Sequence, residues 1–106
     1  MKIDRGLEVT RNIKIIEWLK TEMLNSIAAL YDLMLKGASY TDEVIQDILA
    51  NIIMVTYLLG RRLGFNFSDI DKKMREKIII AINEEHKVEK WYNDLTKLKD
   101  HIKFRE

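Results

Sequence analysis

The densest group of residues able to bind a charged ligand is a basic cluster between positions 61 and 77. It consists of Arg61, Arg62, Lys72, Lys73, Arg75 and Lys77. Arginine can hold a phosphate through paired hydrogen bonds, so the cluster is a candidate phosphate-binding site. Its leading candidate residues are Arg61, Arg62 and Lys73. Three acidic residues lie within the cluster and weaken the positive field. Basic residues are also favourable in the last turn of a helix, which is a sufficient structural explanation for Arg61 and Arg62.

Other residue types that carry chemistry are sparse. His86 and His101 are the two histidines, and the sequence contains no cysteine. His86 precedes Glu89, the reverse of the Glu-x-x-His step found in di-metal helical bundles, and no second copy accompanies it. No Ser-His-acid triad or glycine-rich phosphate loop is recognisable. The aromatic residues Trp18, Trp91 and Tyr92 could stack on a base, but at helical spacing such residues usually form core or subunit contacts. These residues predict no metal site.

The segments that contain these residues are predicted to be helices. Apolar residues recur at steps of three and four through the first third of the chain, which predicts an amphipathic helix. The stripe consists of Ile13, Ile16, Leu19, Met23, Ile27, Leu30 and Met34. Thr10 or Asn12 is the candidate N-cap, and Lys36 followed by Gly37 is the predicted stop.

A second helix is predicted from Thr41, its N-cap, to about Leu63, with Gly64 as the left-handed stop. Apolar residues occur around most of its circumference, which predicts a buried helix. Ser68 and Asp71 predict a capping box for a third helix, Asp69–Asn83. Residues 84–104 form a fourth amphipathic helix or an extension of the third. The predicted fold is an all-α helical bundle of about four helices.

Composition limits the class of protein. The chain has 106 residues, a net charge of +1 and no proline, which predicts one domain over residues 1–106 and no global field that attracts nucleic acid. The apolar stretch Ile48–Gly60 is shorter than a bilayer-spanning helix, and the N-terminal residues lack the apolar core of a signal peptide. We therefore expect a cytoplasmic protein without membrane contact.

Three segments carry a resemblance to a known family. They are NIKIIEWLK at residues 12–20, ANIIMVTYLLGRRLG at residues 50–64 and VEKWY at residues 88–92. In these segments the chain resembles the MazG-like branch of the all-α nucleotide pyrophosphohydrolases, the MazG and dUTPase-like superfamily. The resemblance implies an all-α core built between subunits, and hence a homodimer or higher homo-oligomer, and it implies a nucleotide as a candidate partner. We expect the first two helices to supply the subunit interface, through residues such as Ile16, Met23, Ile27, Ile52 and Leu59.

The resemblance also implies where an active site would lie. Active members carry Glu-Glu-x-x-Glu on one helix and Glu-x-x-Asp on the next, and these carboxylates hold Mg²⁺ against a nucleoside triphosphate. Aligned on this chain, the first motif falls on Asn25, Ser26 and Ala29, and the second falls on Ile48 and Asn51. All five acidic residues are absent, which predicts a non-catalytic protein that needs no cofactor.

Two alternatives remain open. In the first, acidic residues one turn away, Glu22 and Asp47, form a shifted Mg²⁺ site with Glu17 or Asp32 and make the protein a divergent pyrophosphohydrolase; the simpler interpretation is solvated helix charges. In the second, the protein is a structural helical adaptor that binds no nucleotide. Asn51 itself is either an altered ligand position or an amide that bonds across a helix pair and fixes its register.

Overall fold

The computed structural model describes residues 5–36, 41–84 and 87–103. Within these ranges all regular structure is helical. The five helices are α1 (Arg5–Leu35), α2 (Asp42–Arg62), α3 (Phe67–Asn83), α4 (Lys87–Tyr92) and α5 (Asp94–Lys103). The all-α class is confirmed, and four of these helices exceed six residues, in agreement with the expected number. The chain divides into two compact units, Met1–Phe65 and Asn66–Glu106, and a single domain over the whole chain stays a prediction.

In the first unit, α1 begins seven residues before Asn12, so the predicted N-caps are wrong. The Thr10 hydroxyl donates to the carbonyl of Gly6 at 2.8 Å, inside the helix. Asn12 instead contacts α2. A threonine that bonds back four residues satisfies its hydroxyl within a helix and does not need to start one. The predicted stop at Gly37 lies outside the described residues.

One face of α1 packs against α2. At three places on this face, the inward residue is the one before the predicted residue. Buried and half-buried residues recur at alternating steps of four and three, at Asn12, Ile16, Leu19, Met23, Ser26, Leu30 and Leu33. Leu19 is the most buried, with 2 % of its surface exposed. The predicted members Ile13, Ile27 and Met34 are exposed, because the polar neighbours Asn12 and Ser26 and the apolar Leu33 take the inward positions. Residues spaced by alternating steps of four and three stay on one side of a helix. The predicted stripe has two consecutive steps of three and then two of four, so it drifts around the helix.

The predicted ends of α2 are confirmed. The Thr41 hydroxyl accepts a hydrogen bond from the backbone N–H of Val44 at 3.3 Å, as an N-cap does. At the other end Gly64 has φ of +103°, and the N–H of Phe65 bonds to the carbonyl of Gly60 at 3.0 Å. A glycine in the left-handed region ends the helix without steric conflict at Cβ.

Burial around α2 is less complete than predicted. Val55 and Gly60 are buried, and Ile45, Ile48 and Ile52 are half-buried. Leu49, Leu58 and Leu63 are exposed, although burial around most of the helix was predicted. In the described part of this unit α2 has one helical neighbour, α1, and one neighbour covers only one side of a helix.

Length and composition alone would allow α2 to cross a bilayer, since it has 21 residues, and 11 % of its most apolar segment is buried in this structure. Core helices of water-soluble proteins can share this composition, but most of their surface is buried. Absence of membrane contact therefore stays a prediction.

In the second unit, the predicted capping box lies two residues too late. The carboxylate of Asp69 accepts a hydrogen bond from the backbone N–H of Asn66 at 2.8 Å, and α3 begins at Phe67. Asn66 and Asp69 therefore take the roles predicted for Ser68 and Asp71. The two pairs have the same three-residue spacing, so the sequence pattern allows either. The predicted end at Asn83 is confirmed.

Residues 87–103 form two helices, α4 and α5, separate from α3. The chain turns between them at Asn93, which has φ of +57°, a conformation that asparagine tolerates better than most residues. Glu89 on α4 accepts hydrogen bonds from the hydroxyl of Thr96 and from its backbone N–H, the latter at 2.9 Å. This carboxylate caps the first turn of α5, where backbone N–H groups lack helical partners. Among the described residues of this unit, Ile78 and Ile102 are buried.

Candidate functional site

Asn51 and Ser26 meet across the α1–α2 hairpin. The side-chain amide of Asn51 donates from Nδ2 to the Ser26 hydroxyl oxygen at 2.7 Å. Both residues are half-buried. A second contact, from Asn12 Nδ2 to the carbonyl of Arg62 at 3.1 Å, lies at the other end of the hairpin. From one contact to the other, the residue number increases along α1 and decreases along α2, so the two helices are antiparallel.

This register brings together the two segments onto which the acidic motifs align. In antiparallel helices, the Ser26–Asn51 pair places Ala29, three residues further along α1, opposite Ile48, three residues earlier on α2. Ala29 is exposed and Ile48 is half-buried. Asn25, the fifth aligned position, is exposed beside Ser26. The hairpin therefore brings aligned positions of both motifs to the same level, and none of the five residues is a carboxylate.

These residues do not fit Mg²⁺. The ion prefers carboxylate and phosphate oxygens in near-octahedral geometry and gives up its water reluctantly. Asn25, Ser26 and Asn51 supply only neutral oxygens, while Ala29 and Ile48 supply none. One lone pair of the Ser26 hydroxyl already accepts from Asn51. The set carries no negative charge to offset the desolvation of the cation.

The alternative acidic pair, Glu22 and Asp47, is not brought together. Each lies one turn before its neighbour, Ser26 or Asn51, but the helices run in opposite directions. The two carboxylates are therefore displaced to opposite sides of the Ser26–Asn51 contact, about 12 Å apart along the hairpin. Glu22 is half-buried and Asp47 is exposed.

The other two acidic candidates have basic partners on their own helix. Glu17 contacts Lys20 at 2.8 Å, and Asp32 contacts Lys36 at 2.8 Å. Across the described ranges, no three His, Asp or Glu side chains are grouped closely enough to hold a metal ion.

The basic candidates are divided between the two units. Arg61 and Arg62 end α2, whereas Lys73 is exposed on α3 and its Nζ lies 3.4 Å from Glu76 Oε2. The Arg62 guanidinium reaches back to Asn12, with Nη1 3.5 Å from Oδ1. Arg62 also lines a surface groove together with Arg11. Sequence reasoning missed Arg11, because it lies 51 positions away from Arg62 and only the hairpin register brings the two near each other.

The histidine and aromatic candidates that the structure describes are all exposed. His101 is exposed in the last turn of α5, and His86 lies outside the described residues. Trp18, Trp91 and Tyr92 are all exposed. The ammonium of Lys87 lies 5.9 Å from the centre of the Trp91 ring, a cation–π arrangement within α4. Trp18, Trp91 and Tyr92 therefore lie on the surface of the chain and not in its core.

Comparison with known proteins places the chain in a family. Residues 9–95 match the model of the MazG-like family. No curated protein and no solved structure matches the chain significantly. The matched region contains the whole α1–α2 contact, α3 and α4, so it includes every aligned position of the two acidic motifs. The chain belongs to the MazG-like family.

Proposed function

We propose that this MazG-like protein is non-catalytic and acts by binding, either to a nucleotide or to a protein partner. The observation that carries the proposal is the neutral Ser26–Asn51 hydrogen bond, which occupies the place where two metal-binding helices would face each other. Because the two side chains are hydrogen-bonded to each other, they hold the helices together without a cation. The same hairpin geometry then serves as a scaffold and not as a metal site.

The charge at this position supports the proposal. Carboxylates on facing helices repel each other unless a cation lies between them, so an active metal site is held together by its metal. Asn51 and Ser26 remove that repulsion and replace it with a hydrogen bond, worth about 1 kcal/mol net. The exchange favours a stable hairpin at the expense of cation binding.

We also propose that the protein is a homodimer whose subunits meet through the α1–α2 hairpin. Two residues on α1, Leu24 and Tyr31, each expose 68 % of their surface, and Ile27 lies between them at helical spacing. Leu49 and Ile53, four residues apart on α2, are also exposed. Most apolar side chains in the described part of this unit are exposed, and burial of each half-exposed side chain against a second subunit would contribute about 1 kcal/mol.

The predicted interface changes in detail. Ile16, Met23, Ile52 and Leu59 were expected to contact a second subunit, but they are half-buried on the faces that α1 and α2 turn to each other. Ile27, the fifth expected residue, is exposed. The proposed interface accordingly consists of the residues beside the hairpin contact: Leu24, Ile27, Tyr31, Leu49 and Ile53.

Thermal unfolding with a panel of nucleoside triphosphates, with and without Mg²⁺, tests the binding proposal. A bound nucleotide at 100 times its dissociation constant stabilises the fold by about 2.7 kcal/mol. A non-catalytic nucleotide-binding protein should show stabilisation that is the same with or without Mg²⁺. Absence of stabilisation by every nucleotide favours a protein partner, whereas stabilisation that requires Mg²⁺ contradicts the proposal.

A further inference from the structure

We propose a second ligand position, the Arg11–Arg62 groove, which binds an organic phosphate with an apolar body. The groove lies where the first turns of α1 pass the end of α2, and it has a volume of about 420 Å³. Its basic walls are Arg11 and Arg62, and its apolar walls are Val9, Ile13 and Ile15. It lies about 20 Å along α1 from Ser26, given a rise of 1.5 Å per residue. It is therefore a different site from the position of the acidic motifs.

Arg62 is held in place by Asn12. The Asn12 amide donates to the backbone carbonyl of Arg62 at 3.1 Å, and its oxygen lies 3.5 Å from Arg62 Nη1. These two contacts restrain both ends of the arginine. A guanidinium carries five N–H donors in one plane, so one restrained contact leaves the planar fork able to grip an oxyanion through two bonds. Because the side chain is already ordered, less entropy is lost when the anion binds.

Two features of the groove oppose an anion and limit which ligand it can hold. Glu8 Oε1 lies 3.7 Å from Arg11 Nη1, and the last carbonyls of α2 carry partial negative charge. The Asn12 amide satisfies one of those carbonyls, but the net positive field remains small. A small inorganic anion alone would therefore bind weakly.

Apolar contact supplies the rest of the binding free energy. Val9, Ile13 and Ile15 line the groove, and each is an exposed residue, with 58 %, 54 % and 42 % of its total surface open to solvent. A ligand that covers them removes apolar surface from water, at about 25 cal/mol per Å². The ligand class that fits both walls is a phosphate monoester on an aromatic or aliphatic body. Phenyl phosphate is the simplest probe of this class.

Calorimetric titration of the full-length protein with phenyl phosphate, inorganic phosphate and phenol tests the site. We expect phenyl phosphate to bind more tightly than either fragment. Arg11→Gln and Arg62→Gln should each weaken its binding about tenfold, the effect of losing one charge-assisted hydrogen bond. Glu8→Gln should tighten binding, because it removes the opposing carboxylate. Lys14→Gln is the matched control, because Lys14 does not line the groove, and it should change affinity less than either arginine variant does.

Three results would overturn the proposal. They are equal affinity for inorganic phosphate and phenyl phosphate, unchanged affinity in both arginine variants, and an equal loss in Lys14→Gln, which would indicate a diffuse charge effect. If Arg62→Gln lowers helicity, Arg11→Gln carries the test, since the Arg11 side chain is 63 % exposed and forms one long ion pair. These outcomes are independent of catalysis and of nucleotide binding elsewhere on the hairpin.

Discussion

Asn51 donates a hydrogen bond to Ser26 across the α1–α2 hairpin, with 2.7 Å between Nδ2 and Oγ. These two positions are among those onto which the acidic motifs align, and neither side chain carries a charge. Together with the Asn12–Arg62 contact, this hydrogen bond sets the antiparallel register of the hairpin.

The Ser26–Asn51 bond should be measurable in a double-mutant cycle. Ser26→Ala and Asn51→Ala should each destabilise the fold by about 1–2 kcal/mol, because each leaves a half-buried polar partner without its bond. The coupling free energy between them should be about 1 kcal/mol. Asn25→Ala is the matched control, since Asn25 is exposed one position away, and should change stability little. Denaturant unfolding measures the stability of the four proteins of the cycle and of the control, and a coupling near zero would show that the contact does not hold the helices together.

Part of this contact could be predicted from the sequence. An asparagine inside an apolar helix indicates an amide that bonds across a helix pair, and the structure confirms that role for Asn51. The partner could not be predicted, because the hydrophobic stripe of α1 included Ile27 and excluded Ser26. Helical periodicity identifies a face to within about one residue, and the choice between neighbours depends on the position of the second helix.

Other differences have similar local causes. Asn66 and Asp69 cap α3 in place of Ser68 and Asp71, because both pairs satisfy the same spacing rule and only the turn after Gly64 selects between them. The break between α4 and α5 depends on the positive φ of Asn93, which an asparagine permits but does not require. The Arg11–Arg62 groove depends on a contact between residues 50 positions apart, a distance that no local pattern encodes.

Glu89 should make the stability of the second unit depend on pH. The side-chain hydrogen bond from Thr96, followed by that from its backbone N–H, lowers the pKa of Glu89 below its ordinary value of 4.5. A lowered pKa means that the folded state prefers the carboxylate, so the stabilisation is complete above pH 4.5 and is lost as the pH falls through the folded-state pKa. Chemical-shift titration of Glu89 should show this lowered pKa.

Glu89→Gln should reduce the dependence of stability on pH in that acidic range, and Thr96→Val should return the pKa of Glu89 towards 4.5. Glu84→Gln, an exposed substitution in the same unit, serves as the control. A Glu89 pKa at or above 4.5 in the wild-type protein would show that the cap does not form in solution.

Gly64 should resist substitution for backbone reasons alone. Its φ is +103°, and a Cβ built at this position has no heavy atom within 4 Å. Gly64→Ala should therefore destabilise the fold by about 1–2 kcal/mol through left-handed strain and not through a clash. Gly64→Asn should cost less, since asparagine tolerates the left-handed region. Thermal unfolding distinguishes them, and equal stability of the alanine variant and the wild type would contradict the helix stop.

The proposed dimer should dissociate when charge is placed on its interface. Leu24→Glu and Tyr31→Glu put carboxylates on the exposed apolar stripe of α1 and should convert a dimer into a monomer. Lys14→Gln, which changes the charge of the same helix by the same one unit, should leave the dimer intact. Light scattering coupled to size-exclusion chromatography measures the molar mass. A wild-type monomer, or a Leu24→Glu protein that remains dimeric, would count against this interface.

The most direct test of the central claim is pyrophosphate release from canonical and modified nucleoside triphosphates, with and without Mg²⁺ or Mn²⁺. The neutral residues at positions 25, 26, 29, 48 and 51 predict no metal-dependent release from folded protein. Asp47→Asn and Glu22→Gln should then behave as the wild type does. Metal-dependent release that disappears in Asp47→Asn or Glu22→Gln, with helicity unchanged, would contradict the account and establish a relocated active site.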